Sequence, residues 1–370
     1  MKSILKYPGG KEKELKFILP NLPKEINNYY EPFVGGGAVY FAMPTQKKYY
    51  INDKSEELIL FYNMIKNQNQ DFLRLLNSYN STWGKISRYV EKEKEILLDL
   101  FLKNEDEFRE GLNKYLANKS ILSLFKKEFN PDNKTIKKYL KQSLNNKYKT
   151  IKKIEAENKQ LSGENDIFNN ICCSFKTVYY MVLRDAYNEP KERTDEERAS
   201  LYFFIREYCY SSMFRFNSEG KFNVPYGGIS YNEKYLTNKI KFMGQNDYIE
   251  RFKKTIINGL DFYDFMKQNK PKKNDFIFLD PPYDTEFSTY DQNVFDKNDQ
   301  KRLADYLIGE CKGNFMLIIK NTDYIASLYP VDKICSNGNK IKVRTFDKHY
   351  LVSFKNRNDK DCQHLLITNY

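Results

Sequence analysis

The strongest constraint in this chain is the run Asp275-Phe276-Ile277-Phe278-Leu279, which ends on Asp280-Pro281-Pro282-Tyr283. A stretch so apolar reads as a strand covered on both faces, as in parallel sheets joined by helices. Two prolines in succession fix φ and supply no donors, so the strand stops there with a carboxylate at its C-terminal edge. The same alternation of strand and helix recurs elsewhere. Asn28–Glu31 leads into Pro32-Phe33-Val34-Gly35-Gly36-Gly37, and a helix can begin at Ala38–Ala42. Lys48–Asp53 is β-prone and ends in an acid, and Glu56–Ile65 has dense apolar helical spacing. Beyond the double proline come a helix over Asp299–Ile308, a strand over Asn314–Lys320, and β-style alternation at Lys340–Val343 and His364–Thr368. This pattern predicts an α/β fold.

From about Lys66 to Pro190 the pattern is helical and charged, without strand signals of comparable strength. An apolar helix over Ala199–Cys209 follows, and then a loop rich in Arg, Asn, Gly and Pro. The expected division is a first part of the catalytic domain at 1–66, an inserted helical region at 67–245 with a hairpin near 210–228, and the rest of the catalytic domain at 246–370. No apolar run approaches the roughly 20 residues needed to cross a bilayer, and the charged start does not read as a signal peptide. A cytoplasmic protein without a membrane partner is expected. The six cysteines lack a C-x-x-C pair, and the two histidines, His349 and His364, stand beside no candidate nucleophile. No metal site is therefore expected.

Chemistry enters at the glycine triplet. A strand, a glycine loop and a helix make the layout of a nucleotide-type cofactor site, although a triplet alone is equally a tight turn. The glycines do not match G-x-G-x-x-G, which argues against a pyrophosphate ligand. Asp53, 16 residues after Gly37, ends the next strand, where an acid can bind both hydroxyls of a ribose. An adenosine cofactor without pyrophosphate follows, and S-adenosylmethionine (SAM) fits best. At the other turn, the Asp280 carboxylate and the Pro281 carbonyl are rigid acceptors, unless the double proline serves only to end the strand. They suit the two hydrogens of a base's exocyclic amine, and Tyr283 offers a face on which a flipped base can stack. Catalysis would then be positioning and electrostatics, with Asp280, Pro281, Pro282 and Tyr283 as the catalytic set.

Together, Glu31-Pro32-Phe33-Val34-Gly35-Gly36-Gly37 and Asp280-Pro281-Pro282-Tyr283 resemble the Dam-type adenine-N6 DNA methyltransferases. Lys6-Tyr7-Pro8-Gly9-Gly10-Lys11 is similar to that family's K-W-A-G-G-K segment, with Tyr7 for Trp and Pro8 for Ala. The resemblance implies a Rossmann-like SAM-dependent methyltransferase sheet with an inserted target-recognition region. It places Tyr7, Gly9, Gly10, Lys11, Phe33, Gly35, Gly37, Asp53, Asp261, Phe262 and Asp280 at the cofactor, which would leave as S-adenosylhomocysteine. Arg215-Phe216-Asn217-Ser218-Glu219-Gly220-Lys221-Phe222-Asn223-Val224-Pro225-Tyr226-Gly227 resembles the hairpin with which these enzymes enter DNA. By that likeness and by their own chemistry, Tyr210, Arg215, Asn217, Asn223 and Pro225 are expected to serve DNA binding. Arg215 can read a guanine edge, and Tyr210 can wedge into a vacated stack.

The expected partner is double-stranded DNA, with a cognate restriction endonuclease as a further partner and a monomeric enzyme. Net charge +12 agrees with a polyanionic partner, although an AT-rich genome gives a similar composition. Residues 134–159 hold nine lysines and two glutamates, a net +7. Lys134, Lys137, Lys138 and Lys141 share one helical face beside an apolar stripe of Ile136, Leu140 and Leu144. That face is either a phosphate-binding surface or merely solvated. Two rival readings stand beside adenine methylation in DNA: an RNA or protein methyltransferase using the same turn, and a catalytically inactive DNA-binding relative.

Overall fold

The computed structural model describes residues 1–117, 122–158, 160, 162–282, 295–349 and 361–370. Two compact units divide the chain: Met1–Asn67 with Gly244–Tyr370, and Gln68–Met243 between them.

The first unit is built on a seven-stranded sheet. Its strands are β1 (Asn28–Glu31), β2 (Lys48–Asn52), β3 (Thr255–Asn258), β4 (Phe276–Leu279), β5 (Asn314–Lys320), β6 (Lys342–His349) and β7 (Asp361–Thr368), in the order β3-β2-β1-β4-β5-β7-β6. The first five run parallel, and β7 lies antiparallel to both β5 and β6. The centre is covered on both faces, and all four residues of β4 are fully buried. Asp275, also buried, sets β4 against β1: its carboxylate accepts from the backbone and side-chain nitrogens of Asn28 and from Lys272 N. Around the core the helices Phe262–Asn269 and Lys297–Gly309 bury Phe265, Met266, Leu303, Ala304 and Leu307.

This is the Rossmann-like α/β class that the sequence predicts, with one strand beyond the expected set. Thr255-Ile256-Ile257-Asn258 forms β3, a four-residue edge strand with three half-buried positions, too short to show periodicity.

Among the described residues, seven helices of 7 to 26 residues make up most of the second unit, the longest being Asn133–Asn158. Its core surrounds Trp83, the chain's single tryptophan, which meets Tyr179, Phe204, Tyr208 and Tyr226 at ring distances of 4.4–6.3 Å. The helix expected from Ala199 starts earlier, at Asp195, because a capping box formed by Thr194 and Glu197 sets its polar first turn. No described helix is long and apolar enough to cross a membrane.

Candidate active site

β1 and β4 are parallel neighbours, with Tyr29 opposite Phe276 and Tyr30 opposite Ile277. From there the chain continues in opposite directions across the sheet, β1 toward β2 and β4 toward β5. That reversal opens a crevice at the carboxyl ends of the two strands, where α/β sheets bind ligands. The glycine loop leaves β1 into this crevice, and Asp280 leaves β4 into it.

The glycine loop is fixed from several sides. Val34 N donates to Asn52 O at 2.9 Å, Gly37 N to Val34 O at 2.8 Å, and the Tyr62 hydroxyl to Gly35 O at 2.8 Å. Gly37 has φ +69°, a conformation that side chains disfavour, and a Cβ there would also meet Tyr62 and Phe41 at 2.9–3.0 Å. At Gly36 a Cβ would lie 2.8 Å from Tyr7 Cβ and 3.1 Å from Leu5 O. Much of the space freed by these glycines is thus taken by the chain's own N-terminal segment. Tyr7 lies against Gly35 and Gly36, and the segment turns at Gly10, whose N–H donates to Tyr7 O at 3.2 Å.

Lys11, 3% exposed, completes this segment. Its ammonium donates to Gly9 O at 3.1 Å and forms a short ion pair with the Asp280 carboxylate. Glu31, at the end of β1, is buried and accepts from the Tyr29 hydroxyl at 2.7 Å. Burial pushes its carboxyl well above the usual range, against the Tyr29 hydrogen bond, and the charges of Asp280 and Asp53 add to the rise. Burial thus disfavours the charged form of Glu31, whereas the Asp280 carboxylate is paired with Lys11.

Asp53 is held by two amides: Gly35 N donates to its Oδ2 at 3.0 Å and Ser55 N to its Oδ1 at 3.1 Å. Its neighbour Asn52, 1% exposed, joins three loops. The Asn52 amide donates to Pro32 O at 3.0 Å and Leu260 O at 2.9 Å, and accepts from Leu260 N at 2.9 Å. It thereby ties the exits of β1, β2 and β3 together. Phe33, Phe262 and Phe295 form a triad with ring centroids 5.5–5.7 Å apart. Asp261 caps the helix Phe262–Asn269 through Tyr263 N, and its carboxylate also pairs with Arg302 at 3.0 Å and Lys54 at 3.4 Å. Among the catalytic set, Asp280 is partly exposed, Pro281 buried and Pro282 exposed, while Tyr283 lies outside the described residues.

Sequence reasoning missed Asn52, Arg302 and Gln300. The last is fully buried and donates to Pro282 O at 2.9 Å. None of them stands in a motif, since each acts on a loop far away in sequence or through a single backbone carbonyl.

The hairpin expected near 210–228 forms in the second unit, with bridges Cys209–Tyr226 and Phe216–Phe222. Phe214, Phe222, Val224 and Tyr226 are buried, while Arg215, Asn217, Lys221 and Pro225 are exposed. Asn217 Oδ1 accepts from Glu219 N and Lys221 N, which shapes the tip, and Asn223 Oδ1 accepts from Arg215 Nε at 3.1 Å. Tyr210 is 48% exposed and precedes Ser211 and Ser212, which have φ of +51° and +53°. Two adjacent non-glycine residues in that region store strain, a frequent mark of functional segments. On the helix Asn133–Asn158, Ile136, Leu140 and Leu144 are buried, Lys134, Lys138 and Lys141 exposed, and Lys137 half-buried.

The sequence has relatives among known enzymes. A type II methyltransferase of Methanocaldococcus jannaschii, M.MjaIII, is 27% identical over 89% of this chain and 88% of its own. The type II methyltransferase M.CviBI of Paramecium bursaria Chlorella virus NC1A is 25% identical over 89% and 86%. A type II methyltransferase of Lactococcus lactis subsp. cremoris, M1.LlaDCHI, is 22% identical over 93% and 92%. The family described as D12 class N6 adenine-specific DNA methyltransferase matches residues 7–179 and 174–343. That match runs through the glycine loop, the helical unit, the hairpin and the Asp-Pro-Pro turn alike, and the chain belongs to the D12 class N6 adenine-specific DNA methyltransferases.

Proposed function

We propose that this DNA adenine methyltransferase flips its target adenine out of the duplex and holds the N6 amine between the Asp280 carboxylate and the Pro281 carbonyl. The observation that carries the reading is the placement of Asp280 at the end of β4, beside the glycine loop at the end of β1 and paired to Lys11. Two acceptors for the two amine hydrogens favour a pyramidal nitrogen whose lone pair is free to attack. Lys11 keeps the Asp280 carboxylate oriented as the amine arrives, and Tyr283 offers a face for the flipped base.

The residues at the β1 and β2 exits fit SAM. Asp53, already oriented by the Gly35 amide, would accept from the ribose hydroxyls, and the Phe33–Phe262 pair supplies an apolar wall for an adenine ring. Asp261 would take the adenine amine, and Tyr7, Gly9, Gly10, Gly35 and Gly37 shape the segment over the remainder. Bound SAM would supply the methyl group and depart as S-adenosylhomocysteine.

Arg215, Asn217, Asn223, Pro225 and Tyr210 are read as the DNA-entering hairpin, with Arg215 oriented by Asn223 toward a base edge. Because the relatives covering most of the chain are type II methyltransferases, the modification is read as one half of a restriction–modification pair, with a cognate endonuclease as partner. Base-modification sequencing of DNA from cells expressing the enzyme tests the whole reading. N6-methyladenine at one recurring sequence is expected; unmodified adenine, or methyl groups on RNA alone, would overturn it.

Lys134, Lys137, Lys138 and Lys141 are assigned to DNA phosphates, since the apolar stripe of their helix is buried and most of the lysine face is open. Replacing all four with glutamate is expected to flatten the slope of log affinity against log salt by about 3.6, near 0.9 per lost phosphate contact. An unchanged slope would assign these lysines to solvent.

A further inference from the structure

We propose that Gln300 is a positioning residue for methyl transfer, acting by anchoring the carbonyl of Pro282 and so fixing the turn that carries Asp280 and Pro281. The inference rests on the reading of that turn as the acceptor pair for the target amine.

A turn with two consecutive prolines is hard to hold. The rings fix φ at both positions and Pro282 confines ψ at Pro281, but ψ at Pro282 remains soft, and neither residue has an N–H through which the turn can be tied. Only its carbonyls can be anchored. The Pro281 carbonyl has to stay open for the substrate, which leaves that of Pro282. Gln300 takes this carbonyl, its Nε2 donating to Pro282 O at 2.9 Å.

The anchor is itself rigid. Gln300 is 0% exposed and sits in the first turn of the helix Lys297–Gly309. A reciprocal capping box starts that helix, with Asp296 accepting from Asn298 N and Asp299 N and Asp299 accepting from Asp296 N. One turn later Leu303 and Ala304, and two turns later Leu307, enter the core cluster. The turn is thus referenced to the core through one side chain.

The other end of the same amide points to the same role. Gln300 Oε1 is buried and has no hydrogen-bond partner among the described residues. Buried polar groups in folded proteins are normally paired, so an amide kept for packing alone would use both ends or be replaced by an apolar side chain. Gln300 uses one donor, and the group served is the catalytic turn.

Gln300→Met tests this, because it keeps the length of the side chain while removing both the donor to Pro282 and the unpartnered acceptor. The purified enzyme, Gln300→Met, Gln300→Glu and Asp280→Ala are compared in single-turnover methylation of unmodified genomic DNA with labelled SAM. Binding of S-adenosylhomocysteine and of DNA, and the melting temperature, are measured separately. Gln300→Met is expected to melt at or above the wild-type temperature and to bind both ligands as the wild type does. Its methyl-transfer rate is expected to fall about 10- to 100-fold, the scale of a misplacement near 1 Å. In Gln300→Glu the carboxylate cannot donate to Pro282, so the rate relative to wild type is low at pH 8 and recovers as acid protonates it. A purely structural role would instead shift melting and both affinities, with no acid recovery. Wild-type rate in Gln300→Met beside an inactive Asp280→Ala overturns the role of Gln300 alone. Wild-type rate in Asp280→Ala overturns the reading of the turn itself.

Discussion

Asp280→Ala is expected to slow methyl transfer by about 10³-fold, the scale seen when one preorganised electrostatic group is deleted from an active site. In the proposed mechanism its carboxylate is one of two acceptors that hold the amine, and the Pro281 carbonyl alone leaves the nitrogen free to flatten into conjugation with the ring. The fold should survive, because Asp280 is partly exposed at the end of β4 and contributes no apolar core. The substitution has one structural side effect. Among the described residues, Lys11, 3% exposed, would keep only the Gly9 carbonyl for its buried ammonium. Adding Lys11→Met to Asp280→Ala removes that stranded charge, so stability should return while activity does not. Methyl incorporation and thermal melting of the single and double variants separate the two effects, and wild-type incorporation by Asp280→Ala would remove Asp280 from the reaction.

Glu207→Gln is expected to cost the second unit about 3 kcal/mol, at the low end for breaking a buried ion pair because both ammonium partners keep some access to water. Glu207 is 1% exposed on its side chain and pairs with Lys234 at 2.8 Å and Lys239 at 2.7 Å, each 26% exposed. The cluster anchors the hairpin's root: Tyr208, next in sequence, donates its hydroxyl to Lys234 O, and its own carbonyl accepts from Gly227 N. Burial works against the Glu207 charge, but Lys239 and Lys234 outweigh it and hold the carboxyl below the ordinary value of 4.5. A carboxylate depressed on folding contributes stability that is present above 4.5 and lost as pH falls through the lower folded value. The difference between wild type and Glu207→Gln should therefore be full at pH 7 and shrink below pH 4.5. On melting, the neutral-pH gap should be on the order of 10 °C. Equal melting at pH 7 would show that the cluster stabilises nothing.

The parts of this enzyme legible in the sequence are those whose cause is local. The apolar run of β4 stops where two prolines end it, and the helix Glu56–Lys66 follows from apolar spacing. The hairpin is visible because Asn and Gly residues shape its tip within a few positions. Other features depend on partners that no local pattern announces. Lys11 and Asp280 are 269 positions apart, and Asn52 and Leu260 are 208 apart. Asp53 stood out because it ends a strand, whereas the adjacent Asn52, which ties three loops, has no signature of its own. The resemblance places Asp261 at the cofactor, and the structure adds that its carboxylate already caps a helix and pairs with Arg302 and Lys54.

The side-chain amide of Gln68 donates to Met243 O at 2.9 Å, so the second unit begins and ends at one place. On a ribosome this matters for timing. β1 and β2 are synthesised first, but β3 and β4, their outer neighbours in the sheet, follow only after the whole of Gln68–Met243. At about 5–20 residues per second, the first two strands wait roughly 10–35 s with their edges unpaired. Closing so long a loop by random search would cost entropy that grows with its length. A compact helical unit whose two ends meet removes most of that search once it has formed, so β3 is delivered close to where β2 is waiting.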